Sequence, residues 1–428
     1  MAERKRPKVL VVSINGWRDN TGINTLISFF EDWDIDAIAQ IYTRDVLPNT
    51  RVCNKFFRIS EKKLIKSIFK RNVHSGTVVQ NTPDIAGVDA NSLYNLKHNH
   101  LMSFAREIVW MIGNWRTKEL KCFLDEYEPD VLFFPTYAST YMNRLQLFIA
   151  EYTKKPIVLY ASDDNYSYLS VNKDPLSLLM RMMTRKHQLK LFKRASKVLV
   201  ISPKQKEEYD KQFNISCDVM TKGIDYSTVK YLEPLLHDPI RIVYTGKLII
   251  GRWKSLASIA SAVRAINKVE VKAVFDIYSP DVLTEKQLRL LNQKGSVTHD
   301  AVSLEESRKI QEEADILVFV ESLDKKYRYK ARLSFSTKLT DYFKSSKCIF
   351  AVGDKDIAPI DYLQKNDAAI IATSYDQVYD KLNSLIDSKE MIVRYSKKAY
   401  ECGLKNHDVF KRREILNKAL WDVTYAKQ

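Results

Sequence analysis

Short runs of almost unbroken apolar residues recur along the first half of this chain. They are Val9–Ile14 (VLVVSI), Ala37–Tyr42 (AIAQIY), Val131–Phe134 (VLFF), Ile157–Tyr160 (IVLY) and Val198–Ile201 (VLVI). A strand wetted on one face alternates polar and apolar positions, so runs of this kind suit strands covered on both faces. Helical patterns separate them, notably Thr21–Trp33 and a long stretch from Ser92 to Tyr127. That alternation predicts an α/β fold with a parallel, doubly wound sheet. The segment Leu232–Pro239 (LEPLLHDP) has two prolines and no periodicity, as a linker would. A second series then begins, with strands expected at Ile240–Tyr244, Val271–Tyr278, Ile316–Val320, Cys348–Val352 and Ala368–Ala372. Two Rossmann-like domains in series are therefore expected, one over residues 1–230 and one over 239–405. Ligands of open α/β sheets sit beyond the carboxyl ends of the strands, which makes a cleft between two such units the expected site.

Composition narrows this picture. Among 428 residues there are only 11 glycines and 12 prolines, which excludes fibrous and low-complexity architectures and leaves little glycine for a phosphate-cradling loop. The five cysteines, Cys53, Cys122, Cys217, Cys348 and Cys402, have neither zinc-site nor redox-motif spacing and are expected to be free thiols. The first ten residues, MAERKRPKVL, pass from a basic cluster directly into an apolar strand, and no window is apolar enough to span a bilayer. A cytoplasmic protein is expected, with any contact at the inner face of the cell membrane being peripheral.

The formal net charge of +16 divides evenly between the two parts of the chain, yet two local clusters stand out. Arg51–Arg71 holds eight basic residues and one acidic, and Arg181–Lys197 holds seven basic and none acidic. Within the first, Leu64, Ile65, Ile68 and Phe69 are expected on one helical face, flanked by Lys62, Lys63, Lys66 and Lys70. Such a basic amphipathic helix fits an anionic membrane surface, and equally a core-facing stripe with a solvated rim. No nucleic-acid-binding motif accompanies the charge, and no nucleic-acid partner is expected.

The loop after the first strand, Asn15–Asn24 (NGWRDNTGIN), lacks both the G-x-G-x-x-G of a dinucleotide site and the GK[ST] ending of a P-loop. Gly22, at the start of the expected helix, is the candidate for close approach of an anion or sugar, whereas Gly16 serves the turn. In the second unit the strand runs into Gly246-Lys247-Leu248, with Arg252-Trp253-Lys254 just before the next helix. Cations at a strand's carboxyl end and at an adjacent helix start can converge on one diphosphate. Further on, Ser336 or Thr337 is the expected N-cap of a helix that carries Lys338 in its first turn and Asp341 one turn along. There the helix dipole, a hydroxyl and a lysine can hold phosphate, while the carboxylate can accept hydrogen bonds from a ribose diol.

In order and spacing these segments resemble a GT-B glycosyltransferase of the large retaining family four. Ala195-Ser196-Lys197-Val198-Leu199-Val200-Ile201-Ser202 is similar to that family's "ADxVIxIS" strand, and Lys222-Gly223-Ile224-Asp225 to its "NGxD" turn. Tyr244-Thr245-Gly246-Lys247-Leu248 with Lys254 resembles "xxGRL…K", and Ser336–Tyr342 (STKLTDY) resembles the "PSKLxEY" donor loop. The resemblance implies two Rossmann-like domains facing a central cleft, with the final segment (residues 406–428, helical over Val409–Val423) crossing back to the first. It also implies a hexosyl-type transferase that uses a UDP- or GDP-sugar, without metal or other cofactor, on a glycan or lipid-linked acceptor in cell-surface polysaccharide biosynthesis.

Site roles follow residue by residue. Lys247, Lys254 and Lys338 would face the diphosphate with Gly246, Ser336 and Thr337, and Asp341 the ribose. Ser279, Pro280 and Asp300 would lie near the base. Asp163 or Asp164, ending the Ile157 strand, would face the acceptor. Departures from the family pattern are Lys247 for arginine, Lys222 for asparagine, and Leu333 eight residues before Asp341, where a first carboxylate is common; Glu321 and Asp324 are the upstream substitutes. A nucleotide-sugar epimerase and a catalytically degenerate scaffold subunit remain the alternatives. The pairs Asp34/Asp36 and Asp354/Asp356 are expected to be surface charge rather than a metal site.

Overall fold

The computed structural model describes residues 6–19, 25–70, 72–82 and 100–426. The chain divides into two compact units, one made of Met1–Ile201, Lys206–Met220 and Arg413–Gln428, the other of Ser202–Gln205 and Thr221–Arg412.

The sheet of the first unit has the order β4-β3-β2-β1-β5-β6-β7-β8. Its strands are β1 (Val9–Ser13), β2 (Ile38–Tyr42), β3 (Lys55–Ile59), β4 (Gly76–Val79), β5 (Val131–Pro135), β6 (Ile157–Ala161), β7 (Lys197–Val200) and β8 (Cys217–Val219). Every residue of β1, β2, β5 and β6 is buried, as the continuous apolar runs require. β1 pairs in parallel with β2 on one side and β5 on the other, so the strand order reverses beside its carboxyl end. The helices are α1 (Thr25–Phe29), α2 (Glu61–Phe69), α3 (His100–Ile112), α4 (Lys118–Tyr127), α5 (Thr140–Thr153), α6 (Pro175–Arg194) and α7 (Pro203–Phe213).

The second unit carries the sheet β11-β10-β9-β12-β13-β14. Its strands are β9 (Ile240–Thr245), β10 (Ala273–Tyr278), β11 (Ser296–His299), β12 (Ile316–Val320), β13 (Cys348–Val352) and β14 (Ile370–Ala372). All its pairings are parallel, and the order reverses between β9 and β12. Its helices are α8 (Arg252–Ile266), α9 (Glu285–Leu291), α10 (Leu304–Glu312), α11 (Thr337–Lys344), α12 (Ala358–Lys365), α13 (Gln377–Ile386) and α14 (Lys389–Asn406). The last helix, α15 (Val409–Tyr425), begins in the second unit and ends in the first, whose core takes up Leu416, Ala419 and Leu420 beside Val9, Phe30 and Trp33. Full burial of a leucine such as Leu416 or Leu420 stabilises that return by about 2 kcal/mol.

Several expectations need correction. The first sheet is mixed, because β4 runs antiparallel to β3. The helix expected over Thr21–Trp33 is described only at Thr25–Phe29, and Gly22 lies outside the described residues. The long stretch to Tyr127 is broken between α3 and α4, around Gly113, where a Cβ would meet Leu64 Cδ1 at 2.6 Å. Arg51–Arg71 contains strand β3 as well as α2, and the four apolar residues of α2 do not share one environment. Leu64 is fully buried, while Ile65 and Phe69 are 46% and 84% exposed. The histidines that stand apart in sequence are partnered in the fold: His299 with Asp276 at 2.7 Å, His187 with the Met183 carbonyl at 3.0 Å, and His407 with Thr221 and Tyr362.

Candidate functional site

The two switch-point strands of the second unit end directly in the candidate site: β9 runs into Gly246 and β12 into Glu321. Gly246 has φ of +140°, a conformation L side chains rarely adopt, and an added Cβ would lie 1.9 Å from the Lys338 ammonium. Glycine is needed here for both reasons. Lys338 reaches this point from the first turn of α11, where its Nζ lies 3.3 Å from the Tyr244 hydroxyl and 4.5 Å from the ring centroid. The Tyr244 hydroxyl in turn donates to the Lys247 carbonyl at 2.7 Å.

Lys338 makes no ion pair among the described residues. Its pKa is pushed down to about 8, first by burial and then by the charge of Arg252, against the opposing pull of Glu321 and Asp281. A cation placed so gains from any anion that enters beside it.

The loop that presents Gly246 and Lys247 is held from behind. The Asp281 carboxylate accepts from Leu248 N at 2.5 Å, and Asp281 N donates to the Ser279 hydroxyl at 3.2 Å. Helix α8 starts at Gly251, φ +77°, against which Ser322 and Tyr327 pack so closely that a Cβ would meet their atoms at 2.6 and 2.8 Å. The Arg252 guanidinium makes a two-pronged pair with Glu321, 2.8 and 3.1 Å, and Glu321 is buried. Lys254, by contrast, lies on the exposed side of α8 and pairs with Asp324 at 2.7 Å.

The two carboxylates upstream of Leu333 thus bind the two cations at the head of α8. Leu333 itself is fully buried, and its carbonyl accepts from the Ser202 hydroxyl at 3.0 Å. Asp341 pairs with Lys222 at 3.0 Å, so the residue that departs from the family asparagine meets the carboxylate assigned to ribose. Ser336 is the N-cap of α11, but its side chain makes no capping bond; its carbonyl accepts from Leu339 N instead. Thr337 opens the helix.

Ser279 is buried, Pro280 and Asp300 are exposed, and Ser279 N bonds the His299 carbonyl at 3.2 Å. Beside them Tyr278 and His299 stack, ring centroids 4.5 Å apart. In the first unit Asp163 and Asp164 differ sharply. The buried Asp164 accepts from Ser167 N at 2.9 Å and from the Ser167 hydroxyl, so it holds its own turn, whereas Asp163 is exposed. The Asp34 and Asp354 carboxylates likewise accept from the backbone of Asp36 and Asp356, at 3.0 and 2.9 Å.

Within the second unit, the structure brings together Gly246, Lys247 and Lys338. It joins to them Arg252, Glu321 and Tyr244, which the sequence offered only as part of a motif or as a substitute carboxylate, and Asp281, which it did not single out. Arg252 and Lys254 stand two residues apart at the same helix start, and helix phase decides that Arg252, not Lys254, turns toward the buried Glu321.

No protein-family model and no curated protein matches this chain. Solved structures do. Anabaena HepE in complex with UDP aligns with a TM-score of 0.60 at 10% identity, over 96% of this chain and 99% of that one. TarM aligns at 0.61 and 11% identity over 96% and 98%, and the sucrose-phosphate synthase of Thermosynechococcus elongatus at 0.62 and 9% over 99% and 100%. Two Rossmann-like sheets in series, each reversing its strand order beside its first strand, together with these full-length matches, give this chain the GT-B fold.

Proposed function

We propose that this protein transfers a sugar from a nucleoside-diphosphate sugar, with uridine the favoured base, to a glycan or lipid-linked acceptor in cell-surface polysaccharide biosynthesis. The observation that carries the proposal is the half-buried Lys338, free of any ion pair among the described residues, with its ammonium against Gly246 at the carboxyl end of β9. Breaking the bond from the anomeric carbon to the diphosphate leaves the electron pair, and a new negative charge, on the leaving oxygen. Fixed positive charge at that point lowers the barrier, because it interacts more strongly with the transition state than with the bound donor. Lys338, the exposed Lys247 and the first turn of α11 supply it, while Arg252 is committed to Glu321 and positions the head of α8. Asp341 is the carboxylate for the ribose, reached by exchange with Lys222. Tyr278 and His299 flank the base region, with Ser279 shaping its turn. Asp163 is the carboxylate for the acceptor hydroxyl. Retention of configuration, as the family resemblance implies, has the acceptor enter on the face the diphosphate leaves and give its proton to that leaving oxygen.

Peripheral attachment to an anionic membrane belongs to the same reading. α2 exposes Ile65 and Phe69 together with Lys62, Lys63, Lys66 and Lys70, and it packs on α3 through Glu61, which meets Arg106 at 2.7 Å and Trp110 Nε1 at 3.1 Å. α3 itself exposes Leu101, Met102, Met111 and Ile112. Apolar tips within a lysine rim suit a lipid headgroup layer. Among the described residues no helix is long and apolar enough to cross a membrane.

Nucleotide release from UDP-, GDP- and dTDP-sugars, with and without membrane extract, tests the activity. Acceptor-dependent release supports transfer. Conversion without acceptor would instead identify an epimerase, and absence of both binding and turnover a scaffold.

A further inference from the structure

The seven cations of Arg181–Lys197 do not form one surface. Arg181 is buried, with its guanidinium 3.4 Å from the Asp164 carbonyl, Arg185 lies over the rings of Tyr166 and Tyr168, and Lys197 pairs with Asp218 at 2.7 Å. Three of the remaining four gather elsewhere. Lys190, Lys193 and Arg194 line one side of a cavity of about 930 Å³ whose other side is built by Arg116, Arg144 and Phe148. Glu151 is the single carboxylate among its lining residues, and none of the five cations forms an ion pair among the described residues.

We propose that this cavity between α5 and α6 binds a phosphate-bearing anion. Three observations carry it. The first is the excess of charge: five cations face a concave space with one carboxylate, and only a multiply charged anion offsets that. The second is placement. Arg116 lies over the Trp115 and Phe148 rings, at 4.7 and 5.6 Å, and Arg144 reaches the Trp110 carbonyl at 3.5 Å, so both guanidinium groups lean on the cavity wall through partners that do not neutralise them. The third is a shared field. Burial and then Arg116 press the Arg144 pKa down against the pull of Glu107, and burial, with Arg144, Lys190 and Lys186, does the same to His187 on the cavity wall against its bond to the Met183 carbonyl. An anion in the cavity would favour the charged forms of both groups.

The site is separate from the one described above. Its residues on α5 and α6 come from the ends that lead into the amino termini of β6 and β7, whereas Asp163 follows the carboxyl end of β6. Leu147 and Phe148 add an apolar wall for whatever carries the phosphate.

Calorimetric titration with inorganic pyrophosphate, and cosedimentation with phosphatidylglycerol against phosphatidylcholine vesicles, test the proposal. The proteins compared are wild type, Lys190→Glu/Arg194→Glu and Lys338→Ala, with Arg144→Gln as a second, charge-neutral probe of the cavity. Both residues of the charge reversal are exposed, so the fold is expected to survive it. Loss of about ten-fold or more in pyrophosphate affinity on charge reversal and in Arg144→Gln, with one pyrophosphate site retained in Lys338→Ala, supports a site for a soluble phosphate compound. The same loss confined to phosphatidylglycerol vesicles supports a site for a lipid headgroup. Binding of both probes within about two-fold of wild type in both cavity variants would overturn the proposal.

Discussion

Lys338 carries its charge into a place where its polar partner is a phenol and, among the described residues, no carboxylate pairs with it. The consequence is a pH dependence whose sign is fixed. Below about 8 the ammonium is charged and ready for a diphosphate; as pH rises through that value the free protein loses the charge and affinity for the nucleotide falls. UDP titrations from pH 6.5 to 9.5 are therefore expected to be flat at first and to weaken above about pH 8. Lys338→Arg is expected to move that break to higher pH and Lys338→Ala to abolish it. An unchanged profile in Lys338→Ala would remove the residue from the site. Turnover in Lys338→Ala is expected to drop by about 100-fold or more, the scale on which single donors to a developing charge act. Lys254→Ala is expected to cost far less, because that ammonium is already occupied by Asp324 on the exposed side of α8. Gly246→Ala is expected to mimic Lys338→Ala in turnover, since the new methyl group and the ammonium cannot share the space.

At the level of elements, His407 shows how the site's scaffold is fixed. Its imidazole joins Thr221 at 3.1 Å to Tyr362 at 3.0 Å and stacks on Phe335, tying the segment after β8 to α12 and to the loop before α11. Burial, with Arg412 adding to it, pushes its pKa down to about 3. The folded state therefore holds a neutral ring that the unfolded chain would protonate below about 6.5. The stability this neutral ring contributes is complete above 6.5 and is lost as pH falls toward 3, with about 2 kcal/mol of it gone by pH 5. Thermal midpoints of wild type and His407→Gln between pH 7.5 and 4.5 check this: the variant is expected to show the shallower fall, and parallel curves would contradict it.

The same elements show what sequence can and cannot carry. Strands buried on both faces were legible because their apolar runs are dictated by burial, as in VLVVS of β1 and ILVFV of β12. β3, with Lys55 exposed and Arg58 half-exposed, has no such run, and it is hidden inside a basic segment. Gly246 and Lys338 were legible because both stand next to an element boundary. Arg252 and Glu321 were not paired in advance, because 69 residues separate them and only the parallel neighbourhood of β9 and β12 brings the ends of those strands together. Asp164 could not be told from Asp163 by sequence, since their difference lies in which carboxylate meets Ser167.

For the whole molecule, the even +16 charge collects at separate places: Lys247, Arg252 and Lys338 in the second unit, the lysines beside the exposed apolar tips of α2, and the cavity between α5 and α6. The surface claim predicts salt-sensitive cosedimentation with anionic vesicles, reduced several-fold by Ile65→Glu/Phe69→Glu without loss of thermal midpoint, because both side chains already face solvent. Persistence of binding in that variant would move the contact off α2. On the proposed function, the carboxyl ends of β9 and β12 receive the diphosphate of a nucleotide. Thermal denaturation of wild type and Lys338→Ala with UDP, GDP and dTDP tests it most directly. One nucleoside diphosphate, expected to be UDP, should raise the wild-type midpoint and leave that of Lys338→Ala unmoved; no shift in wild type with any of the three, or equal shifts in both proteins, would contradict the account.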